Sequence, residues 1–324
     1  MTEYCISRLW ESVRKISDRS PWAQDSNHHR YSVPCDMLDR PVLITGTPRS
    51  GKTCVGNLLE QAGEFVYVNE PLTIWDIRVS RRCDDRLVAA HANDRTKRKI
   101  LSRCEGVVRQ SGRLRYLDNL AYHALRIPFI HAIVPDARIV YVIRNPTDTI
   151  PEMLYGWTYR DTLVKAVARR RKHLKVSALP RLGWRFAHNY VQSRLFGRRA
   201  TWGPRVPGLQ AFATTHSTAQ VAAFQWHRMN EIGLEDMASL PAGIGLTVRY
   251  EDLLTDPVHQ ARRIASFCEV QDPHAITAFA KTYIDPNFPF DKKICPTKEQ
   301  WTAIRCQIGA FQSHMGYTWS RGDM

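Results

Sequence analysis

The stretch Pro41-Val42-Leu43-Ile44-Thr45-Gly46-Thr47-Pro48-Arg49-Ser50-Gly51-Lys52-Thr53 decides the architecture. Its first five residues form a short apolar run suited to a buried parallel strand. Gly46 through Thr53 satisfies the pattern G-x-x-x-x-G-K-[ST] in full. From Lys52 onward Val55, Leu58, Leu59 and Ala62 take up helical spacing, and Gly63 supplies a stop. Strand, Gly-rich turn and helix therefore follow one another directly. In such a turn the glycines let successive N–H groups face inward, and the helix adds the positive end of its dipole. Lys52 can reach terminal anionic oxygens, and the Thr53 hydroxyl can bond a phosphate oxygen or a metal. The stretch reads as a phosphate cradle.

Working outward, residues 65–68 read as a second strand, closed by Asn69-Glu70-Pro71. Residues 78–108 are charged and helix-like, 115–117 form a brief strand, and 120–133 are helical with an interruption at Pro128. The strongest strand is 138–143, β-branched through its centre and ending at Arg144-Asn145-Pro146. A helix should follow it, capped by Asn145 or Thr147. Further on, 218–240 reads as an amphipathic helix, 244–250 as a strand, and Asp256-Pro257 as the opening of a helix to residue 267. A Pro-rich link over 285–296 leads to a last helix around 301–312. Alternating strands and helices indicate an α/β fold, a parallel β-sheet with helices on both faces. The chain reads as one such domain over 1–324, with a helix and loop at 1–40 and a basic insertion at 158–216.

That insertion dominates the charge. The whole chain of 324 residues carries 46 Lys and Arg against 31 Asp and Glu, a net +15. Residues 158–216 hold 13 of the cations and the single acid Asp161, so they supply +12 of the excess. A solvated basic surface is one reading; a segment that attracts an anionic or amphiphilic acceptor, or a lid, is the other. An apolar fraction of 44% excludes bulk disorder. The eight cysteines, at 5, 35, 54, 83, 104, 268, 295 and 306, form no C-x-x-C pair and no zinc spacing. They read as reduced thiols, hence a cytoplasmic expectation. No run approaches the length of a membrane span, and the polar start is not a signal peptide. Ile6, Leu9, Trp10, Val13 and Ile16 recur at helical spacing, which leaves peripheral membrane contact open beside ordinary core packing.

A nucleoside triphosphate would need Mg²⁺, usually held by an Asp at the end of an apolar strand. The best strand here ends in Arg144 instead. With both strand ends considered, the chain resembles the sulfotransferases that use 3′-phosphoadenosine 5′-phosphosulfate (PAPS), in their bacterial and carbohydrate-sulfotransferase branches. The likeness is carried by Thr45-Gly46-Thr47-Pro48-Arg49-Ser50-Gly51, Asn69-Glu70-Pro71-Leu72, the run from Pro135-Asp136-Ala137-Arg138 to Val142-Ile143-Arg144-Asn145-Pro146, and Val248-Arg249-Tyr250-Glu251-Asp252-Leu253-Leu254 with Asp256-Pro257. Order and spacing agree from about residue 40 to 317.

The resemblance implies PAPS as donor, without a metal. The loop Thr47, Pro48, Arg49, Ser50, Gly51, Lys52 and Thr53 would hold the 5′-phosphosulfate, with Arg49 beside the leaving phosphate. Arg144 matches the arginine of the 3′-phosphate, and Tyr250 an aromatic near the adenine. Glu70 stands where carbohydrate sulfotransferases place a candidate general base. The chain also departs from the pattern. Where the family has Ser eight residues after the strand-end Arg, to help hold the 3′-phosphate, this chain has Glu152, a carboxylate that would repel it unless turned away or neutralised. Asn119 replaces a common Lys, and the loop continues Lys52-Thr53 rather than Thr/Ser-Thr.

By the chemistry of sulfuryl transfer, Arg49 and Lys52 would neutralise charge on the leaving phosphate. Glu70, expected next to the loop because it follows the second strand, is the first choice of base; His123 is the second and Asp118 the third. Plainer readings stand beside these: Glu70 as a turn cap, His123 as a surface or packed histidine, Arg144 paired with a structural carboxylate, Tyr250 as core. Two other functions compete, a P-loop kinase using ATP or GTP with Mg²⁺, and a non-catalytic nucleic-acid or anion-binding protein using the basic stretch. No specific nucleic acid is expected, and the acceptor and oligomeric state are not legible.

Overall fold

The computed structural model describes residues 38–75, 82–159, 201–284 and 293–319. The expected helix at the start of the chain, most of the basic insertion, and most of the Pro-rich link lie outside them. Five strands form one all-parallel sheet: β1 (Val42–Gly46), β2 (Phe65–Asn69), β3 (Arg115–Asn119), β4 (Arg138–Ile143) and β5 (Gly245–Arg249), in the order β2-β3-β1-β4-β5. Every residue of β1 is buried, as a central strand covered on both faces requires.

The pleat sends alternate residues to two cores. Leu43, Tyr116, Ile139 and Tyr141 join the larger one, under α3 (Asp94–Ser111), α5 (Pro146–Thr158), α7 (Thr218–Ala238) and α11 (Lys298–His314). Val42, Ile44, Leu117, Val140 and Val142 join the other, under α1 (Lys52–Glu60), α9 (Pro257–Phe267) and α10 (His274–Tyr283). The remaining helices are short: α2 (Leu72–Trp75) and α4 (Ile127–Ile133) precede β4, and α6 (Leu209–Thr215) precedes α7. A last turn of helix, α8 (Tyr250–Thr255), follows β5 directly.

β1 and β4 are neighbours, with Gly46 opposite Val142, yet α1 leaves toward one face and α5 toward the other. Their carboxyl ends therefore flank a topological switch point, where open α/β sheets leave a crevice for ligands.

The sequence-based boundaries need correction in places. Residues 78–108 are not one helix: a 3-10 turn at Ala89–His91 precedes α3, whose start is set by Asn93 accepting from the Thr96 amide. Pro128 does not interrupt a helix but opens one, within the first turn of α4, where its missing N–H costs nothing. The 115–117 strand extends to Asn119, and the last strand stops at Arg249 because Tyr250 already belongs to α8. α10 was not anticipated. Glu70 does not follow a strand adjacent to β1, since β3 lies between β1 and β2. The expected cap at Asn145 is present, its side chain accepting from the Thr147 amide, and a Ser217–Gln220 capping box, which the sequence reading did not name, opens α7.

The limb that returns from the basic insertion is pinned. Asp85, fully buried, accepts from the Arg205 amide at 2.7 Å and from Arg205 Nη2 at 2.9 Å, with Arg126 Nη2 at 3.9 Å. Gln225 donates to the carbonyls of Trp202 at 3.0 Å and Pro204 at 2.6 Å. Asp85→Ala is expected to destabilise the fold by about 3–5 kcal/mol, because it leaves the buried Arg126 charge and the half-buried Arg205 charge less compensated; urea unfolding reads the loss. Among the described residues, no helix is long and apolar enough to cross a membrane.

Candidate active site

The turn after β1 has the backbone its glycines allow. Gly46 (φ 137°) and Gly51 (φ 93°) lie where side chains are strained, and a Cβ on Gly51 would collide with the Tyr250 ring. Arg49 adopts φ 68° although it is not glycine. Such a conformation costs a non-glycine residue about 1–2 kcal/mol. It also leaves the Arg49 side chain exposed at the mouth of the turn.

Inside the turn the hydroxyls of Thr47 and Ser50 are buried without a hydrogen-bond partner, both residues being 0% exposed. Buried hydroxyls left unpaired cost about 1–3 kcal/mol each. Gly51 caps α1 with no side-chain bond, so the first amides of the helix also lack a capping acceptor. Two orphan hydroxyls at a helix N-terminus fit a multi-oxygen anion.

Lys52 lies beneath this turn, and its Nζ donates to the Thr47 carbonyl at 2.5 Å. Burial lowers its pKa to about 7; the carboxylate of Glu70 opposes the fall and the guanidinium of Arg49 adds to it. Arg49, Lys52 and Glu70 are thus within electrostatic reach of one another. Glu70 follows β2 at φ 52°, half-buried, and its amide donates to the Asn119 carbonyl at 3.0 Å. That bond runs across the end of β3, which is how Glu70 reaches the loop despite the intervening strand. The Thr53 hydroxyl receives the Asn119 side-chain amide at 3.3 Å.

On the β4 side, Arg144 is 6% exposed and Glu152 3% exposed, with Nη1 to Oε1 at 2.8 Å. The same Nη1 donates to the Arg49 carbonyl at 3.0 Å. Arg144 stands over the Tyr250 ring, 5.2 Å from its centroid, and Tyr250 packs against Gly51. Arg144, Glu152, Tyr250 and the loop therefore form one contiguous group. The plainer expectation for Arg144, a carboxylate partner, is realised, and the partner is Glu152.

His123 and Asp118 lie apart from these groups in the larger core. His123 Nε2 is 3.1 Å from Asp118 Oδ1; Asp118 Oδ2 accepts from Trp75 Nε1 at 2.7 Å and Tyr116 Oη at 2.9 Å. Both residues are 0% exposed, and His123 Nδ1 has no partner. Of the three candidate bases, only Glu70 is partly exposed.

Sequence reasoning missed two supports. Glu251 Oε1 accepts from the Asn145 amide at 2.8 Å and its Oε2 from Tyr317 Oη at 3.0 Å, tying the start of α5 to α8 and the C-terminal limb. Its place within the quoted Tyr250-Glu251-Asp252 run was the available signal. Gly203, on the pinned limb, lies close enough that an added Cβ would meet Pro48 Cγ at 3.5 Å. Nothing in the sequence marks that contact.

No curated protein matches the chain. Among solved structures it is similar to the sulfotransferase domain from the curacin biosynthetic pathway, at 15% identity over 85% of this chain and 99% of that one, with a TM-score of 0.44. It is also similar to the sulfotransferase domain of the Synechococcus PCC 7002 olefin synthase, at 17% identity over 89% and 98%, TM-score 0.46. Mouse sulfotransferase SULT7A1, solved complexed with PAP, matches at 15% identity over 75% and 64%, TM-score 0.38. Likenesses this distant carry no weight. The sequence itself does: the model of the sulfotransferase family matches residues 41–175 and 193–274, more than half the chain, and takes in the loop, Glu70, the β4 end and Tyr250. By that match the chain belongs to the sulfotransferase family.

Proposed function

We propose that this transferase moves the sulfuryl group of PAPS onto a hydroxyl or amine of a glycan, glycolipid or secondary-metabolite acceptor. The observation that carries the reading is the pair of buried, unpartnered hydroxyls, Thr47 and Ser50, set above a buried lysine at the switch point of the sheet. PAPS would supply an activated sulfuryl group on a phosphate leaving group. Loop amides and the two hydroxyls would bind that phosphosulfate, and Tyr250 and Arg144 would meet the nucleoside side. Arg49 and Lys52 would neutralise the negative charge that grows on the leaving oxygen. Glu70 would accept the acceptor's proton, and the limb at Gly203, beside Pro48, would flank the acceptor side.

The Gly51-Lys52-Thr53 run keeps a kinase as the competing reading, and three side chains weigh against it. β4 is followed by Arg144, the residue reaching Thr53 from β3 is the amide Asn119, and the nearby carboxylate Asp118 is bonded to Trp75, Tyr116 and His123. Adenosine 3′,5′-bisphosphate (PAP) at a hundred times its Kd should stabilise the protein by about 2.7 kcal/mol, and ADP with Mg²⁺ by less. Thermal shift checks this, together with transfer of labelled sulfate from PAPS to an acceptor panel. Stronger stabilisation by Mg-ADP would favour the kinase.

A further inference from the structure

In the buried Arg144–Glu152 pair, the carboxylate is a charged group at the site that the transfer chemistry leaves unused. We infer that Glu152 sets what the site accepts at the nucleotide's 3′ position: as a carboxylate it holds Arg144 and turns a 3′-phosphate away, and as the neutral acid it releases Arg144 to that phosphate. The inference rests on the nucleotide reading above, in which Arg144 meets the nucleoside side of the donor, and on the resemblance that matches this arginine to the 3′-phosphate.

Arg144 is the cation of the β4 end, but its Nη1 is shared between Glu152 Oε1 at 2.8 Å and the Arg49 carbonyl at 3.0 Å. With both partners of the ion pair almost wholly enclosed, the pair is close to neutral toward a ligand. A dianionic phosphate arriving at Arg144 would meet a carboxylate one hydrogen bond away in a poorly screened setting, where like charges repel strongly. Removing that charge by protonation costs least where the carboxylate is already burdened.

Glu152 meets that condition. Burial pushes it above the ordinary carboxylate value; Arg144 and then Arg49 oppose the rise, and Asp148 on its own helix adds to it. Tyr250, from α8, is the other titratable group that faces it, and burial holds that phenol neutral. An incoming dianion raises Glu152 further, so binding draws in a proton. The 3′-phosphate then becomes a pH-dependent feature of the donor, favoured in mildly acid conditions. AMP, which lacks that phosphate, is indifferent to Glu152.

Isothermal titration calorimetry with PAP and AMP at about pH 6.5 and pH 8 tests this, because AMP cancels the titration of Lys52 and of the 5′-phosphate. In the unaltered protein the PAP-to-AMP affinity ratio should rise about tenfold from pH 8 to 6.5, within the limit of tenfold per pH unit for one linked proton. PAP should also take up more protons than AMP when measured in two buffers of different ionisation enthalpy. Glu152→Gln should raise the ratio at pH 8 at least tenfold and remove its rise toward acid pH, with AMP affinity held within about twofold; Glu152→Ser serves if the glutamine variant does not fold. A ratio in the unaltered protein that is flat in pH, or unchanged by either substitution, overturns the role of Glu152 and leaves the nucleotide site standing. Failure of both PAP and AMP to bind overturns the nucleotide reading and this inference with it.

Discussion

Lys52→Met is expected to lower kcat by about 10²- to 10³-fold, the usual cost of deleting one charge-stabilising donor aimed at a leaving or developing anion, and to stabilise the empty protein. Both effects come from one fact. The Lys52 amine is buried under the loop with a pKa lowered to about 7. The unfolded chain binds the lysine proton up to about 10.5. Between these limits the unfolded state holds more protons, so stability rises with pH across that window, and the native state is penalised below about 7. Methionine removes the penalty, so the gain should be largest at neutral and acid pH and should fade toward pH 10. Each unit of displacement corresponds to about 1.4 kcal/mol, enough for a gain of a few kcal/mol in urea unfolding. Ligand binding runs the other way. An anion in the cradle raises the Lys52 pKa, so affinity is at its plateau below about pH 7. Above that it falls by up to about tenfold per pH unit until the bound-state pKa is passed. In Lys52→Met that slope should vanish for AMP. A variant that turns over at the normal rate, or whose AMP binding keeps its alkaline decline, would remove Lys52 from the mechanism and with it the phosphosulfate cradle.

The parts legible in the sequence are those fixed by local rules. Val42–Gly46 is apolar at every position but the last two, and a strand covered on both faces admits little else. The glycines at 46 and 51 mark the two places where the turn requires positive φ, and Asn145 before Pro146 announces a helix start. What stayed hidden depends on packing across the fold. Charge density over 78–108 resembles a helix, but residues 82–88 are held by Arg205 and by the Leu125 carbonyl, partners that no periodicity reports. Asp118 could be suspected of chemistry from its place after a strand; only the fold brings Trp75 and His123 to both its oxygens. Glu152 is the intermediate case. Its conflict with a phosphate-binding position was visible as a residue type out of place, while its pairing with Arg144 required the turn from β4 into α5. The order of β2 and β3 had no sequence signal at all, and Glu70 was placed beside the loop for a reason that the sheet does not support.

Glu70 is therefore the residue whose role most needs separating from its geometry. At φ 52° it holds a conformation that favours glycine, in a tight turn where the Leu72 amide donates to the Glu70 carbonyl at 2.8 Å. A residue kept only to cap that turn would be better replaced by glycine. Relief of the left-handed strain is worth about 1–2 kcal/mol, and the greater freedom of glycine in the unfolded chain takes back about 0.5–1 kcal/mol, so Glu70→Gly should gain roughly 0.5–1 kcal/mol. Glu70→Gln keeps the backbone strain and most of the shape while removing the proton acceptor. If Glu70 takes the acceptor's proton, both variants should lose about 10²- to 10⁴-fold in kcat, and only the glycine variant should be more stable. PAP affinity should fall only modestly in either, through loss of the carboxylate that supports the Lys52 charge, since the base itself meets the acceptor and not the nucleotide. Steady-state kinetics paired with urea unfolding distinguishes the cases: a stabilised Glu70→Gly enzyme with undiminished kcat would mean that the strain serves the turn alone. Loss of kcat in the glutamine variant, with stability unmoved, identifies a side chain retained for chemistry at a position where the backbone alone would favour glycine.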